Sequence, residues 1–167
     1  MKLVLIILSC FLLRWPVCSQ TVENREYSFM LNGLLDHSVV EVSVIDIDQK
    51  DGTIYLDARE QNEYKVSHIE GAIWVGYDHF QKDSLKSINK DQKIVVYCSV
   101  GYRSEKIAEK LIKMGYTDVA NLYGGLFEWS NQKLPLVCGD SNKPTIKIHP
   151  YNALWGQWIT YGEKVYE

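Results

Sequence analysis

The stretch from Ile94 to Glu105 limits what this 167-residue chain can fold into more than any other part of it. Three apolar residues and a tyrosine run into Cys98, a six-residue loop extends from Cys98 to Arg103, and an amphipathic helical pattern begins at Ser104. A strand, a loop and a helix in that order place a thiol over the N-terminus of the helix, whose dipole favours the thiolate. The sequence therefore predicts a reactive cysteine at the end of a strand.

Short apolar runs alternate with helical patterns through residues 39–137. Continuous apolar runs are typical of an α/β protein with a parallel sheet that helices cover on both faces. Ligand sites in such sheets lie at the carboxyl ends of the strands, where Cys98 and Asp57 both fall. The predicted strands are residues 39–44, 54–57, 73–75, 94–97 and 119–123, and the predicted helices are residues 23–36, 60–66, 79–88, 104–115 and 124–134. The buried stripe of the helix after the loop is predicted to be Ile107, Ala108, Leu111 and Ile112.

Residues 1–19 have the pattern of a secretory signal peptide. Lys2 provides a positive start, residues 3–13 are apolar apart from Ser9, and small residues precede a cleavage position ahead of Gln20. The apolar run is shorter than the roughly 20 residues that a spanning helix needs, which favours cleavage over retention as a membrane anchor. We therefore expect export to the periplasm or the extracellular space, with no stable membrane insertion after cleavage.

The remaining chain divides into three predicted parts. Residues 20–38 form a helical lead-in, residues 39–137 form the sheet domain, and residues 138–167 form a C-terminal extension. Packing of the extension against the domain is favoured over a role as a ligand or partner surface. Within the extension, residues 142–148 are predicted to be extended and residues 152–159 helical with Asn152 as the cap. The aromatic residues of the extension are Tyr151, Trp155, Trp158 and Tyr161.

Charge and residue spacing exclude some classes of function. The formal net charge is −3 and no basic run is present, which argues against a nucleic-acid partner. Two cysteines, Cys98 and Cys138, remain after signal removal, too few for a disulfide framework, so one of them is expected to act as a thiol. The histidines lack metal-ligand spacing, and we expect a structural role for His68; the four are His37, His68, His79 and His149.

Three features of the loop favour a nucleophilic Cys98 over a merely buried one. Gly101 allows backbone angles that turn N–H groups inward, and successive inward N–H groups form an anion nest. The following helix adds a partial positive charge, and Arg103 adds a full one. Together these features favour a thiolate with an anion bound beside it.

The loop resembles the active-site loop of single-domain rhodaneses, read as C-x-x-G-x-R-S over Cys98 to Ser104. Two further blocks of the chain resemble the same family in the same order. The first block consists of Tyr55 to Glu60, Glu63-Tyr64 and His68 to Ala72. The second block is Asn121 to Trp129. The resemblance implies a five-stranded parallel sheet with helices on both sides.

The resemblance also implies sulfurtransferase chemistry without a metal or an organic cofactor. The Cys98 thiolate attacks the outer sulfur of thiosulfate or a similar small donor, sulfite leaves, and a thiol or cyanide acceptor takes the sulfur from the Cys98 persulfide. The N–H groups from Ser99 to Ser104 surround the terminal sulfur, and Arg103 orients or neutralises an anionic donor. The substrate-binding residues are then Ser99, Val100, Gly101, Tyr102, Arg103 and Ser104. Asp57 and Arg59 are expected to brace neighbouring loops, with substrate contact as the alternative for Asp57.

Other interpretations remain open at this stage. Phosphatases and arsenate reductases on a similar scaffold have a C-x5-R loop, one residue longer, which suits a tetrahedral oxyanion. A non-catalytic binding module would lack the cysteine, and a thiol redox protein would use Cys138 to resolve a disulfide or persulfide on Cys98. Val100 and Tyr102 make the mouth less cationic than basic residues would, which leaves a thiol or persulfide substrate as an option.

Overall fold

The computed structural model describes residues 21–47, 52–139 and 142–166. The predicted signal segment, residues 1–19, lies outside the described residues. Within the part of the chain that is described, no helix has both the length and the apolar character needed to cross a membrane.

Five parallel strands form the central sheet, which confirms the predicted α/β class. The strand order is β1-β5-β4-β2-β3, so β4, the strand that precedes Cys98, lies in the middle. All four residues of β4 are buried, as expected for a strand covered on both faces. The strands are β1 (Val40–Ser43), β2 (Ile54–Asp57), β3 (Ile73–Trp74), β4 (Ile94–Tyr97) and β5 (Val119–Tyr123).

Helices pack on both faces of the sheet. The α-helices are α1 (Arg25–Leu34), α2 (Gln61–Val66), α3 (Tyr102–Lys113), α4 (Gly125–Asn131) and α5 (Ala153–Gly156). Side chains alternate along β4, so Val95 and Tyr97 join a core cluster with α1 and α4, whereas Ile94 and Val96 join a second cluster with α3. Cys98 belongs to the α3 side.

Three predicted details are wrong. Residues 79–88 form only a 3₁₀ turn, Lys82–Leu85, in a segment where Asp83 and Ser84 have low helix propensity. Helix α3 begins at Tyr102 rather than Ser104, since Gly101 is its N-cap. Ile112 is 46% exposed, because it lies about 100° around the helix from Leu111 and so falls outside the buried stripe.

The C-terminal extension packs against the domain through two short sheets and α5. Strand β6 (Leu136–Cys138) pairs antiparallel with β7 (Lys143–Thr145), and β8 (Lys147–Ile148) pairs parallel with β9 (Glu163–Lys164). The predicted cap is present, since the Asn152 side chain accepts a hydrogen bond from the Trp155 N–H at 3.0 Å.

Two contacts fix the position of the extension. The Trp158 ring stacks on the Tyr27 ring of α1 at a centroid distance of 5.3 Å. Asn131, at the end of α4, donates to the Trp158 carbonyl at 2.9 Å and accepts from the Thr160 N–H at 2.8 Å. The extension is therefore tied to both helices on one face of the sheet.

Replacing Trp158 tests this packing. Trp158→Ala should lower the free energy of unfolding by about 2 kcal/mol, because it removes a partly buried ring that stacks on α1. Leu154→Ala, a change at a 69% exposed position of the same extension, should change it by less than about 0.5 kcal/mol. Urea denaturation monitored by circular dichroism measures both, and equal effects would contradict the proposed docking.

Candidate functional site

Cys98 lies directly after β4 and is 1% exposed. Gly101 adopts a φ of +119°, a left-handed backbone conformation that other residues rarely adopt. The Gly101 N–H points to the sulfur, with the nitrogen 3.1 Å from Cys98 Sγ. The loop thus supplies one backbone donor to the thiol, and the nest of successive N–H groups stays a prediction.

The N-terminus of α4 holds the loop from the other side. The N–H groups of Leu126 and Phe127 donate to the carbonyls of Cys98 and Ser99 at 2.8 and 3.0 Å. This approach requires Gly125, because a Cβ there would lie 2.5 Å from the Cys98 carbonyl oxygen. The first peptide groups of the loop are therefore fixed by a helix that follows in sequence only after β5.

Ser104 and Asn121 fix the far end of the loop. The Asn121 amide donates to the Gly101 carbonyl at 3.1 Å, and the Ser104 hydroxyl donates to the Asn121 side-chain oxygen at 2.7 Å. All three groups are buried. Ser104 accordingly stabilises the loop through Asn121 and is not among the residues that line the pocket.

Arg103 forms a bidentate ion pair with Glu63 of α2. Its two terminal nitrogens lie 2.6 and 2.8 Å from the Glu63 carboxylate oxygens, and Ser99 Oγ donates to the same carboxylate at 3.0 Å. Burial raises the pKa of Glu63, but the hydrogen bonds and charge of Arg103 outweigh this effect and bring it to about 2. The pair stays ionised at neutral pH, and its net charge is zero.

Glu63 is one of the site residues that the sequence did not assign. It is 1% exposed and also closes a capping box, since its side chain accepts from the Glu60 N–H at 3.0 Å. The Glu60-x-x-Glu63 spacing gave a signal for the capping box. No local pattern connects it to Arg103, which lies 40 residues further along the chain.

Asp57 and Arg59 form a buried pair beneath the loops. Both are 0% exposed, and Arg59 Nε lies 3.0 Å from Asp57 Oδ1. Arg59 also donates to the Ser67 carbonyl at 2.6 Å, and its own carbonyl accepts from the Trp74 indole at 2.8 Å. The geometry fits the expected bracing role, since neither side chain lines the pocket.

The histidine expected to be structural, His68, is 2% exposed and stacks on the Tyr64 ring at a centroid distance of 3.9 Å. Its backbone exchanges two hydrogen bonds with Val137 at 2.8 and 3.0 Å. Among the described residues, no cluster of three or more His, Cys, Asp or Glu side chains is placed to hold a metal ion. Cys98 and Cys138 are both free thiols.

A pocket of about 380 Å³ opens above Cys98. Four other residues of the loop contribute to it, namely Ser99, Val100, Tyr102 and Arg103. Val100 is buried against the α1 side of the core, whereas Tyr102 is 42% exposed at the mouth. The pocket is closed further by Leu34, Glu60, Tyr77, Asp78, Tyr151 and Trp155.

The C-terminal extension supplies part of the pocket wall, although the sequence favoured simple packing against the domain over a ligand surface there. Tyr151 has a φ of +65°, and its N–H donates to His149 Nδ1 at 3.0 Å. Burial lowers the pKa of His149, so the ring is neutral at physiological pH and can accept this bond. The Tyr151 ring lies 5.3 Å from the Arg103 guanidinium, which places it at the mouth.

This geometry defines a class: α/β proteins with a thiol loop at the carboxyl end of the central strand. The family model described as "Rhodanese-like domain" matches residues 43–132, more than half of the chain. The chain therefore belongs to the rhodanese-like sulfurtransferase family.

Comparison with individual proteins agrees with this assignment. The tRNA uridine(34) hydroxylase of Oceanobacillus iheyensis is 36% identical over 97 residues, which are 55% of this chain and 29% of that protein. The chain thus spans less than a third of this curated relative's length. A solution structure of a Helicobacter pylori protein is 26% identical with a TM-score of 0.51, over 60% of this chain and 91% of that one.

A thiosulfate sulfurtransferase structure from Pseudomonas aeruginosa has a TM-score of 0.56 over 71% of this chain and 24% of that one. Its sequence identity is 20%, so this likeness concerns the fold alone.

Gly125→Ala tests how the loop is held. The new methyl group would meet the Cys98 and Ser99 carbonyls, so the free energy of unfolding should fall by about 3 kcal/mol and Cys98 should react more slowly with sulfur donors. Gly71→Ala is the matched control, because Gly71 also has a positive φ, +75°, but opens to free space, and it should lose about 1–2 kcal/mol. Thermal and urea unfolding measure the difference, and equal losses would show that the contact with the loop is unimportant.

Proposed function

We propose that this protein moves a sulfane sulfur from a small donor, such as thiosulfate, to a nucleophilic acceptor through a persulfide on Cys98. The observation that carries the proposal is the Cys98 thiol at the base of a pocket, with the Gly101 nitrogen 3.1 Å from its sulfur. A fixed N–H donor stabilises the negative charge that a thiolate or a persulfide anion places on sulfur. Covalent catalysis divides the transfer into two displacement steps.

In the first step the Cys98 thiolate attacks the outer sulfur of thiosulfate, and the S–S bond of the donor breaks. Sulfite leaves with the bonding electrons, and Cys98–S–S⁻ remains. In the second step an acceptor, a thiolate or cyanide, attacks the terminal sulfur and releases the Cys98 thiolate. Each step forms one bond to sulfur and breaks one, so no external oxidant or reductant takes part.

The state of Arg103 favours sulfur transfer over phosphate chemistry. An oxyanion pocket needs a guanidinium that binds two oxygens of the substrate. Here both terminal nitrogens of Arg103 bind the Glu63 carboxylate instead. The short loop and the neutralised arginine together disfavour the binding of a tetrahedral oxyanion next to Cys98.

The relatives named as tRNA uridine(34) hydroxylases offer another activity, which we do not extend to this chain. Their likeness is confined to 97 residues or fewer. Two carboxylates, those of Glu60 and Asp78, line the pocket, and such charges repel nucleic-acid phosphates. A binding module and a redox protein that uses Cys138 are alternatives, which the experiment below separates from a transferase.

Export is part of the proposal and is supported by the sequence of residues 1–19 alone, with its apolar run and small residues before Gln20. The proposed reactants are small molecules, a sulfur donor and a thiol or cyanide acceptor. No protein partner is proposed.

Intact-mass spectrometry after exposure to thiosulfate or to inorganic polysulfide tests the activity. Wild-type protein and Cys138→Ser should each gain the mass of one sulfur atom at Cys98 and lose it on addition of cyanide, with formation of thiocyanate. Cys98→Ser should do neither, because the nucleophile is absent. A wild-type protein that gains no sulfur from either donor would contradict the transferase and favour a binding module. A Cys98–Cys138 disulfide as the product would favour a redox protein.

A further inference from the structure

The mouth of the pocket carries an uneven charge. Among the described residues that line the pocket, three bear side chains that are normally ionised at neutral pH, namely Arg103, Glu60 and Asp78. Arg103 is already neutralised by Glu63, through contacts of 2.6 and 2.8 Å. Among the side chains that line the pocket, the charge left unpaired is therefore that of two carboxylates.

Glu60 and Asp78 form one edge of the mouth. The Asp78 N–H lies 3.5 Å from a Glu60 carboxylate oxygen, and the Glu60 side chain also accepts from the N–H of Glu63. Within the described residues, neither carboxylate forms an ion pair, whereas the acids of α3 do, as Glu109 does with Lys106. The negative edge is thus open to a cation from solution.

The remaining walls of the mouth are aromatic or apolar. They are formed by Leu34 of α1, Tyr77, Tyr102, and Tyr151 and Trp155 of the extension. Aromatic faces attract both apolar groups and cations, and a volume of about 380 Å³ fits a small organic molecule. The walls and the carboxylate edge favour the same kind of ligand.

We infer that the sulfur acceptor is a small aminothiol, a molecule that joins a thiol to an apolar body and a protonated amino group. This inference rests on the proposed sulfur transfer and names its acceptor. The aminothiolate attacks the terminal sulfur of Cys98–S–S⁻, the Cys98–sulfur bond breaks, and the aminothiol persulfide anion and the Cys98 thiolate are released. By the same charges, thiosulfate, a dianion, is a poor donor compared with a neutral persulfide.

Three acceptors of similar size test the charge preference: cysteamine, 2-mercaptoethanol and mercaptoacetate. Cys98 is first loaded with polysulfide, and the rate of sulfur loss is measured by mass spectrometry and corrected for the thiolate concentration of each acceptor. The rate should fall about threefold for each unit of negative charge added, in the order given, and the spread should shrink at high salt. Equal rates, or the reverse order, would overturn the inference while leaving sulfur transfer intact.

Variants assign the preference to the two carboxylates. Glu60→Gln combined with Asp78→Asn should bring the three rates together. The matched control is Asp91→Asn combined with Asp118→Asn, which removes the same charge from exposed positions. These positions precede β4 and β5 and so lie at the amino ends of the strands, away from Cys98. The control should keep the wild-type spread of rates. A control that also loses the spread would assign the effect to net charge and contradict the role of the mouth.

A second readout does not depend on sulfur transfer. Cys98 without bound sulfur is treated with aminoethyl or sulfonatoethyl methanethiosulfonate, which differ in charge. The reaction is run in a Cys138→Ser background, and the labelled peptide is quantified. The thiolate displaces methanesulfinate and forms a mixed disulfide with either reagent. The cationic reagent should react about tenfold faster relative to a free thiol in solution, because the two reagents differ by two unit charges. A ratio equal to that of the free thiol would refute the charge selection even if no persulfide ever formed.

Discussion

The ion pair between Glu63 and Arg103 is the interaction on which the site depends. It joins α2 to the first turn of α3, and through Ser99 Oγ it also holds the loop next to Cys98. Burying two charges costs free energy, which the two parallel hydrogen bonds and the mutual attraction offset only while both partners are present. The pair is therefore a fixed brace: loss of one member leaves a buried charge that destabilises the loop.

The brace acts together with the contacts on the loop backbone. The N-terminus of α4 binds the first two carbonyls of the loop, and Asn121 binds the carbonyl of Gly101. With both ends fixed, the Gly101 N–H points at the sulfur before any substrate arrives. A donor that is already in place needs no reorganisation when charge develops on sulfur, which is the main way such loops promote reaction.

The sequence predicted those parts of the molecule that local patterns specify. The strand Ile94–Tyr97 and the helix after Gly101 are dense in apolar residues at the right period, and Cys98 lies between them, so the position of the thiol could be predicted without a structure. Arg103 carries the positive charge that the sequence indicates, but the Glu63 carboxylate neutralises it. Its partner Glu63 is distant in sequence, and no periodicity indicates which carboxylate will fold against which guanidinium.

The C-terminal extension also forms contacts that its sequence pattern could not predict. The aromatic residues of the extension and the Asn152 cap were predicted from the sequence. Which of the aromatic residues pack on the domain and which line the pocket depends on how the extension packs against the domain. The stack of Trp158 on Tyr27 and the hydrogen bonds of Asn131 bring Tyr151 and Trp155 to the mouth of the pocket. The stack links residues more than a hundred positions apart, and the Asn131 hydrogen bonds link residues 27 and 29 positions apart, so these contacts follow from packing rather than from local propensity.

The most direct test of this account is a double-mutant cycle on Glu63 and Arg103, with the rate of Cys98 persulfide formation from thiosulfate as the readout. If the pair is a brace, Glu63→Gln and Arg103→Gln should each slow the reaction, and the double variant should be no slower than either single variant, because both remove one interaction. If Arg103 instead binds the anionic donor, Glu63→Gln should accelerate the reaction by freeing the guanidinium, and that result would contradict the account.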